Sequence, residues 1–179
     1  MTTSIPHLIQ FIPPSEASVA MHEAGHAAAS LVFQVAPEFM EIIEQPTLHG
    51  RNRISGVSSQ QERRLIAVAG YAVEVALFAA GRLTDRSGVI LTEQQFIQQA
   101  LGKNAAADKI PFHDENRAGP DGGWSKDDDA KFAASGAALS EAIPLDRVTA
   151  LATALVLERV VPAARIAEIW NAFLPDAPT

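Results

Sequence analysis

Two histidines four residues apart, with a glutamate beside the first, give this chain its one segment whose residue types and spacing specify a reaction: His22-Glu23-Ala24-Gly25-His26. On a helix, positions i and i+4 share a face, so both imidazoles can reach a single cation. Zinc held in this way brings the pKa of a bound water to about 7 and polarises a scissile carbonyl. Glu23 would stand beside that water, placed to take its proton and later return it to the leaving amine. This is the H-E-x-x-H arrangement of zinc hydrolases. The bland alternative is a pair of histidines that merely pack or hydrogen-bond. Against it stand the small apolar neighbours Val19, Ala20, Ala24, Ala27, Ala28, Leu31 and Val32. Burying two imidazoles and a carboxylate among them costs on the order of several kcal/mol unless something satisfies them, and a metal does.

Composition narrows the ligand set. The 179 residues include no cysteine, which excludes a disulfide framework, an iron–sulfur cluster, Cys-ligated zinc and a Cys nucleophile. With five histidines, a transition metal must be held by His, Asp and Glu. Fourteen Lys plus Arg against twenty-one Asp plus Glu leave a net charge of −7, which argues against nucleic acid as a partner, since phosphate binding needs clustered cations. At 47% hydrophobic and 20% charged, the chain is that of a globular protein, and its length fits one domain. Met1 to Pro14 carries no Lys or Arg before its short apolar run, unlike a signal peptide. The longest apolar candidate, Leu65 to Ala80, is interrupted by Tyr71 and Glu74, so no membrane insertion is expected. The expectation is a soluble, cytoplasmic protein.

Helices must position the motif. Ser15 suits an N-cap after Pro13 and Pro14, opening a helix from Glu16 to Val35. Phe39 to Glu44 reads as a short β segment, Gln45 to Arg53 as a turn and Ile54 to Val57 as a second strand-like piece, together a small hairpin or sheet. Gln60 to Gly81 has no proline and repeats Leu65, Val68, Ala69, Ala72, Val75, Ala76 and Ala79 at helical spacing. Leu91 to Gly102 predicts another helix with Thr92 as N-cap. Lys103 to Gly123 reads as the loosest stretch. A helix follows from Ser125 to about Ala142, then Leu145 to Val160, with Pro162 kinking or restarting it into Arg165 to Leu174 and a fraying tail. The class is mainly α. The division expected is an N-terminal extension over 1–14, a catalytic domain over 15–143, and C-terminal helices over 144–179 packing on the same domain.

Ser18 to Ala29, containing His-Glu-Ala-Gly-His-Ala, resembles the metal-binding helix of FtsH-type zinc metalloproteases. Ala69-Gly-Tyr-Ala-Val-Glu-Val-Ala-Leu-Phe78 is similar to that family's G-R-A-A-E-E-L-x-F helix, and Gly123-Trp-Ser-Lys-Asp-Asp-Asp-Ala-Lys-Phe-Ala133 offers a counterpart to its G-A-S-N-D-x-x-x-A segment. The three blocks keep the family's order and span roughly residues 15–139. The resemblance implies a zincin-like FtsH peptidase-type fold, a Zn2+ cofactor and, as third ligand, an aspartate near the start of a later helix. Asp127, Asp128 and Asp129 compete for that role, with Asp129 favoured and Asp128 next; at least two of the three are solvated first-turn carboxylates. Ser125 and Asp128 are expected to form an N-terminal capping pair. The chain lacks a Walker-type loop and a membrane anchor, so it resembles a stand-alone, ATP-independent peptidase domain.

Glu74, alone in an apolar helix, is expected behind the ligands, orienting His22 or His26 through the free ring nitrogen. His7, His49 and His113 read as solvated loop histidines, Trp124 as a buried anchor, and Arg63 and Arg64 as a solvated helix start. The expected function is zinc-dependent hydrolysis of peptide bonds in a peptide or protein, with the substrate added as a strand at the sheet edge around Met40 to Ile43. The alternatives are an inactive peptidase-like interaction or scaffold domain, and hydrolysis of a non-peptide amide. A homo-oligomer is compatible with either.

Overall fold

The computed structural model describes residues 4–44, 47–56, 59–113 and 123–173. Within them the chain runs β1 (Ile9–Ile12), α1 (Glu16–Val32), β2 (Ala36–Ile43), β3 (His49–Ser55), α2 (Gln60–Ala79), β4 (Leu83–Asp85), α3 (Glu93–Ala100), a 3₁₀ turn (Asn104–Ala106), α4 (Lys109–His113), α5 (Lys126–Ser140), α6 (Leu145–Glu158), β5 (Val160–Pro162) and α7 (Ala163–Asn171). It is mainly helical with small sheets.

Hydroxyl caps start four of the helices. Ser15 accepts from the Ser18 backbone N–H while the Ser18 hydroxyl accepts from that of Ser15. Ser59 and Glu62 exchange the same pair of bonds at α2, as do Thr92 and Gln95 at α3. At α5, Ser125 accepts from the Asp128 N–H and donates to its carboxylate, the expected capping pair. Each cap satisfies amides that a helix start leaves without partners.

α1 forms the centre. One side packs on α2 and the other on α6, while α5 covers the far side of α2. Ala20, Met21, Ala24, Ala27 and Ala28 bury α1 almost completely. Two glycines let α1 and α2 approach at backbone distance. A Cβ at Gly25 would lie 2.8 Å from the Ala69 carbonyl oxygen and from Val73 Cγ2, and one at Gly70 would lie 2.5 Å from His22 Nε2. The helix carrying the histidines is thus pressed against the helix carrying Glu74.

The sheets differ from the sequence expectation. β2 pairs antiparallel with β3 from Ala36↔Ser55 to Ile43↔His49, so most of the expected turn is strand. β3 reads His-Gly-Arg-Asn-Arg-Ile-Ser and has no fully buried residue, so it lacks the apolar alternation that marks a strand. Cross-strand ion pairs, Arg51 with Glu41 and Arg53 with Glu38, support it instead. β5 pairs antiparallel with the opposite edge of β2. The helix was expected to run to Val160 with a kink at Pro162, but Arg159 takes a positive φ of 65° and turns the chain into the sheet. β1 pairs parallel with β4, burying Ile9 and Phe11. Ile5 at the start of the described chain and Trp170 near its end belong to one continuous core. Val57 and the tail from Pro175 lie outside the described residues.

Candidate metal centre

α1 presents His22 and His26 on one face, as the i, i+4 spacing requires, and their Nε2 atoms stand 3.1 Å apart. Both Nδ1 atoms are anchored on the far side of the rings. His22 Nδ1 is 2.9 Å from Glu74 Oε1, and His26 Nδ1 is 2.7 Å from the Ile66 carbonyl oxygen. A carbonyl can only accept, so His26 carries its proton on Nδ1; Glu74 fixes the same tautomer at His22. In the neutral rings both Nε2 lone pairs then face each other with no donor between them. The third member of the group is a carboxylate: Asp108 Oδ2 is 3.0 Å from His22 Nε2 and Oδ1 is 3.5 Å from His26 Nε2. One ligand atom from each of His22, His26 and Asp108 lies within 4.8 Å of the others. Three electron-pair donors converging on one point call for a cation. Two imidazoles and a carboxylate are the donor set of a zinc site that keeps a fourth position open.

The third carboxylate is therefore Asp108, which corrects the expectation of Asp129 or Asp128. Asp129 forms a 2.6 Å ion pair with the buried Lys109 ammonium, which also donates to the Leu101 carbonyl. Asp128 is buried at the start of α5, held by Ser125, with its Oδ1 3.8 Å from His113 Nδ1. Asp127 is exposed. The acidic run thus secures the segment after Asp108 rather than ligating. Asp108 falls in the stretch 103–123, read as loose for its two prolines, its glycine and asparagine breakers and its mixed charges. Pro111 in fact sits in the first turn of α4, where a missing N–H costs nothing. A signal was present: Asn104-Ala-Ala-Ala-Asp108 sets two polar residues one helical turn apart across three alanines. Both serve the site, Asp108 at the histidines and Asn104 by donating to Glu74 Oε1 at 2.8 Å. Gln99 in turn donates to Asn104 Oδ1. Glu74 lies where expected, behind His22.

The electrostatics follow from this crowding. Burial disfavours a charged His22, yet Glu74 and Asp108 outweigh it and hold the imidazole pKa well above its usual value. His26 is likewise depressed by burial but raised overall by Asp108. Asp108 is pushed up by burial and pulled down more strongly by His26 and His22, ending well below the usual carboxylate range. Burial raises Glu74 despite His22 and Asn104, and raises Glu23 despite His26 and His22. The pocket favours positive charge at its centre and leaves Glu23 a stronger base than a solvated carboxylate.

β3 closes the site over Glu23. A Cβ at Gly50 would lie 2.2 Å from Glu23 Cγ and 2.5 Å from Oε1, so only glycine fits there. On one side of Glu23 and Asp108 a cavity of about 480 Å³ is lined by His26, Asn52, Arg63 and Ala107. On the other side a cavity of about 550 Å³ is lined by His22, His49, Lys103 and Asn104. β2 has both edges paired, with β3 and with β5, so the expected strand addition at Met40 to Ile43 is blocked. Among the described residues the open edge beside the site belongs to β3. Arg63 is exposed, as expected, but lines the first cavity, while Arg64 Nε donates to the Phe112 carbonyl. His7 is exposed. His49 is exposed and donates from Nδ1 to the Thr47 carbonyl at the mouth of the second cavity. His113, expected in solvent, is buried against Phe112, Phe132 and Trp124. No helix among the described residues is long and apolar enough to cross a membrane.

Comparison with known protein families finds no matching family model, and comparison with curated proteins finds no match.

Proposed function

We propose that this chain is a zinc-dependent peptidase built on an FtsH-type peptidase fold and acting without ATP. The observation that carries the reading is the convergence of His22 Nε2, His26 Nε2 and the Asp108 carboxylate, with both Nδ1 atoms tied back to acceptors. Zinc bound there would supply an acidified water and a Lewis acid for the scissile carbonyl. The chain does the rest. Glu74, braced by Asn104, fixes the His22 tautomer, and the Ile66 carbonyl fixes that of His26. Glu23, its affinity for a proton raised by burial, takes the water proton and delivers it to the leaving amine. The open edge of β3 runs past Glu23 and can hold an extended peptide by main-chain hydrogen bonds.

The test is elemental analysis of protein purified without added metal, with cleavage of a quenched fluorescent peptide library by the parent and by Glu23→Gln. The expected outcome is one zinc per chain in both, with cleavage only by the parent. Absence of stoichiometric zinc refutes the metal reading. Zinc without cleavage that depends on Glu23 refutes the peptidase reading in favour of a binding domain.

A further inference from the structure

The charges lining the cavity on the His26 side are unevenly committed. Of its carboxylates, Asp108 belongs to the candidate metal cluster and Glu23 lies one residue from the ligand candidate His22. Arg51 is paired with Glu41 and lies over the Phe39 ring, 5.3 Å from its centroid. Arg63 is different: its backbone N–H is the first-turn amide of α2, bonded to the Ser59 carbonyl, but its guanidinium has no ion pair or side-chain hydrogen bond among the described residues. On the facing wall Asn52 Nδ2 is buried with no hydrogen-bond partner, a donor left unsatisfied at a free-energy cost. Ile54, Ile66, Ala67 and Pro111 supply the rest of the lining. The cavity thus offers a planar cation and a spare amide donor, and among those residues no carboxylate outside the candidate metal centre.

We propose that this cavity is a carboxylate-binding subsite, in which Arg63, assisted by Asn52, selects substrates carrying an acidic group next to the scissile bond. The group is an Asp or Glu side chain or the terminal carboxylate of a short peptide; both present the two oxygens that a guanidinium fork recognises. The net charge of −7 opposes acidic substrates at long range, but salt screens that field beyond about 8 Å while contact inside the cavity is screened less. Contact decides selectivity. The inference rests on the peptidase reading and names the substrate class of that same site.

The test uses the full, zinc-loaded chain and matched peptides that differ at one position, Glu against Gln, scanned across the residues flanking the cleaved bond, each with a free and an amidated C-terminus. Because Arg63 is exposed, Glu is expected to exceed Gln in kcat/KM by about 5- to 10-fold at one position, the range of a partly solvated charge-assisted contact. If the terminal carboxylate is the ligand, amidation rather than the Glu/Gln exchange removes the preference. Arg63→Gln should bring the ratio to about 1 and Arg63→Glu should invert it in favour of Gln, whereas Lys131→Glu, an equal change in net charge on an exposed site of α5, should leave it intact. Binding of the same labelled peptides to the Glu23→Gln chain gives the preference independently of turnover. If the parent cleaves nothing but this chain binds the acidic peptide preferentially, the peptidase reading fails and the subsite stands. Equal binding and cleavage of the Glu, Gln, free and amidated peptides, or a preference that survives Arg63→Glu, overturns the subsite.

Discussion

Replacing Gly70 by alanine sets two opposing effects against each other at one atom. Alanine in a helix interior is favoured over glycine by about 1 kcal/mol. On that account alone the substitution in α2 stabilises the chain, by about 2–4 °C in Tm for a protein of this size. The added methyl, however, would lie 2.5 Å from His22 Nε2 and 2.7 Å from both Cδ2 and Cε1. Carbon contacts are comfortable at about 3.5 Å, so the ring must retreat by about 1 Å. Its Nδ1 is held by Glu74, and α1, which carries the ring, is packed against α6 on its other side. Metal bonds tolerate displacements of only about 0.2 Å. The expected result is a folded chain, its metal-free Tm within a few degrees of the parent, whose zinc dissociation constant rises by at least about 100-fold. Competition with a chromophoric chelator measures the affinity, and circular dichroism melts of the metal-free proteins measure the fold. Gly70→Ala with parental zinc affinity would refute the proposed role of the α1–α2 approach.

Three further outcomes separate the roles of the acidic residues. Asp108→Asn should lose stoichiometric zinc, whereas Asp129→Asn should keep it and instead lower stability by about 1–3 kcal/mol, because the buried Lys109 ammonium loses its counter-charge while Asp129 itself is partly solvated; metal analysis with urea melts distinguishes the two. Asn104→Ala leaves Glu74, whose Oε2 is buried without a hydrogen-bond partner, dependent on His22 alone, and should weaken zinc binding by about 10- to 100-fold in the same chelator competition. Protons compete with zinc for the two Nε2 atoms. Because the folded pKa values of His22 and His26 are raised, the stability these groups give the metal-free chain is fully present below about pH 6.5 and is lost as pH rises through the folded values. The zinc-induced rise in Tm should therefore be larger at pH 8 than at pH 6, and an equal or smaller rise at pH 8 would contradict this account.

The parts legible in the sequence were those governed by local rules. Spacing placed His22 and His26 on one face, hydroxyl caps marked the starts of α1, α3 and α5, and a lone Glu74 in an apolar helix announced a buried partner. Less legible were the parts that depend on tertiary context. β3 carries no apolar alternation because charge pairs with β2 hold it, and β5 is three residues in the wake of a helix. The third carboxylate was sought in the most acidic run, where three aspartates compete for attention. Yet tertiary packing decides which carboxylate meets the histidines: Asp108, after three alanines, reaches them, while Asp128 is buried against its own cap and Asp129 neutralises Lys109, a lysine that nothing in its neighbours marks for burial.

The pairing of β5 with β2 also sets an order of events during synthesis. The histidines are made early in this stretch of chain, but α1 is covered on its second side only when Val148, Leu151, Ala152 and Leu155 arrive, and the second edge of β2 is closed only by Val160 to Pro162. An apolar helix and an unpaired strand edge thus wait for more than a hundred residues of chain. At ribosomal speeds of about 5–20 residues per second, that leaves an interval of roughly 6–30 s in which the nascent chain offers chaperones, or other nascent chains, its stickiest surfaces.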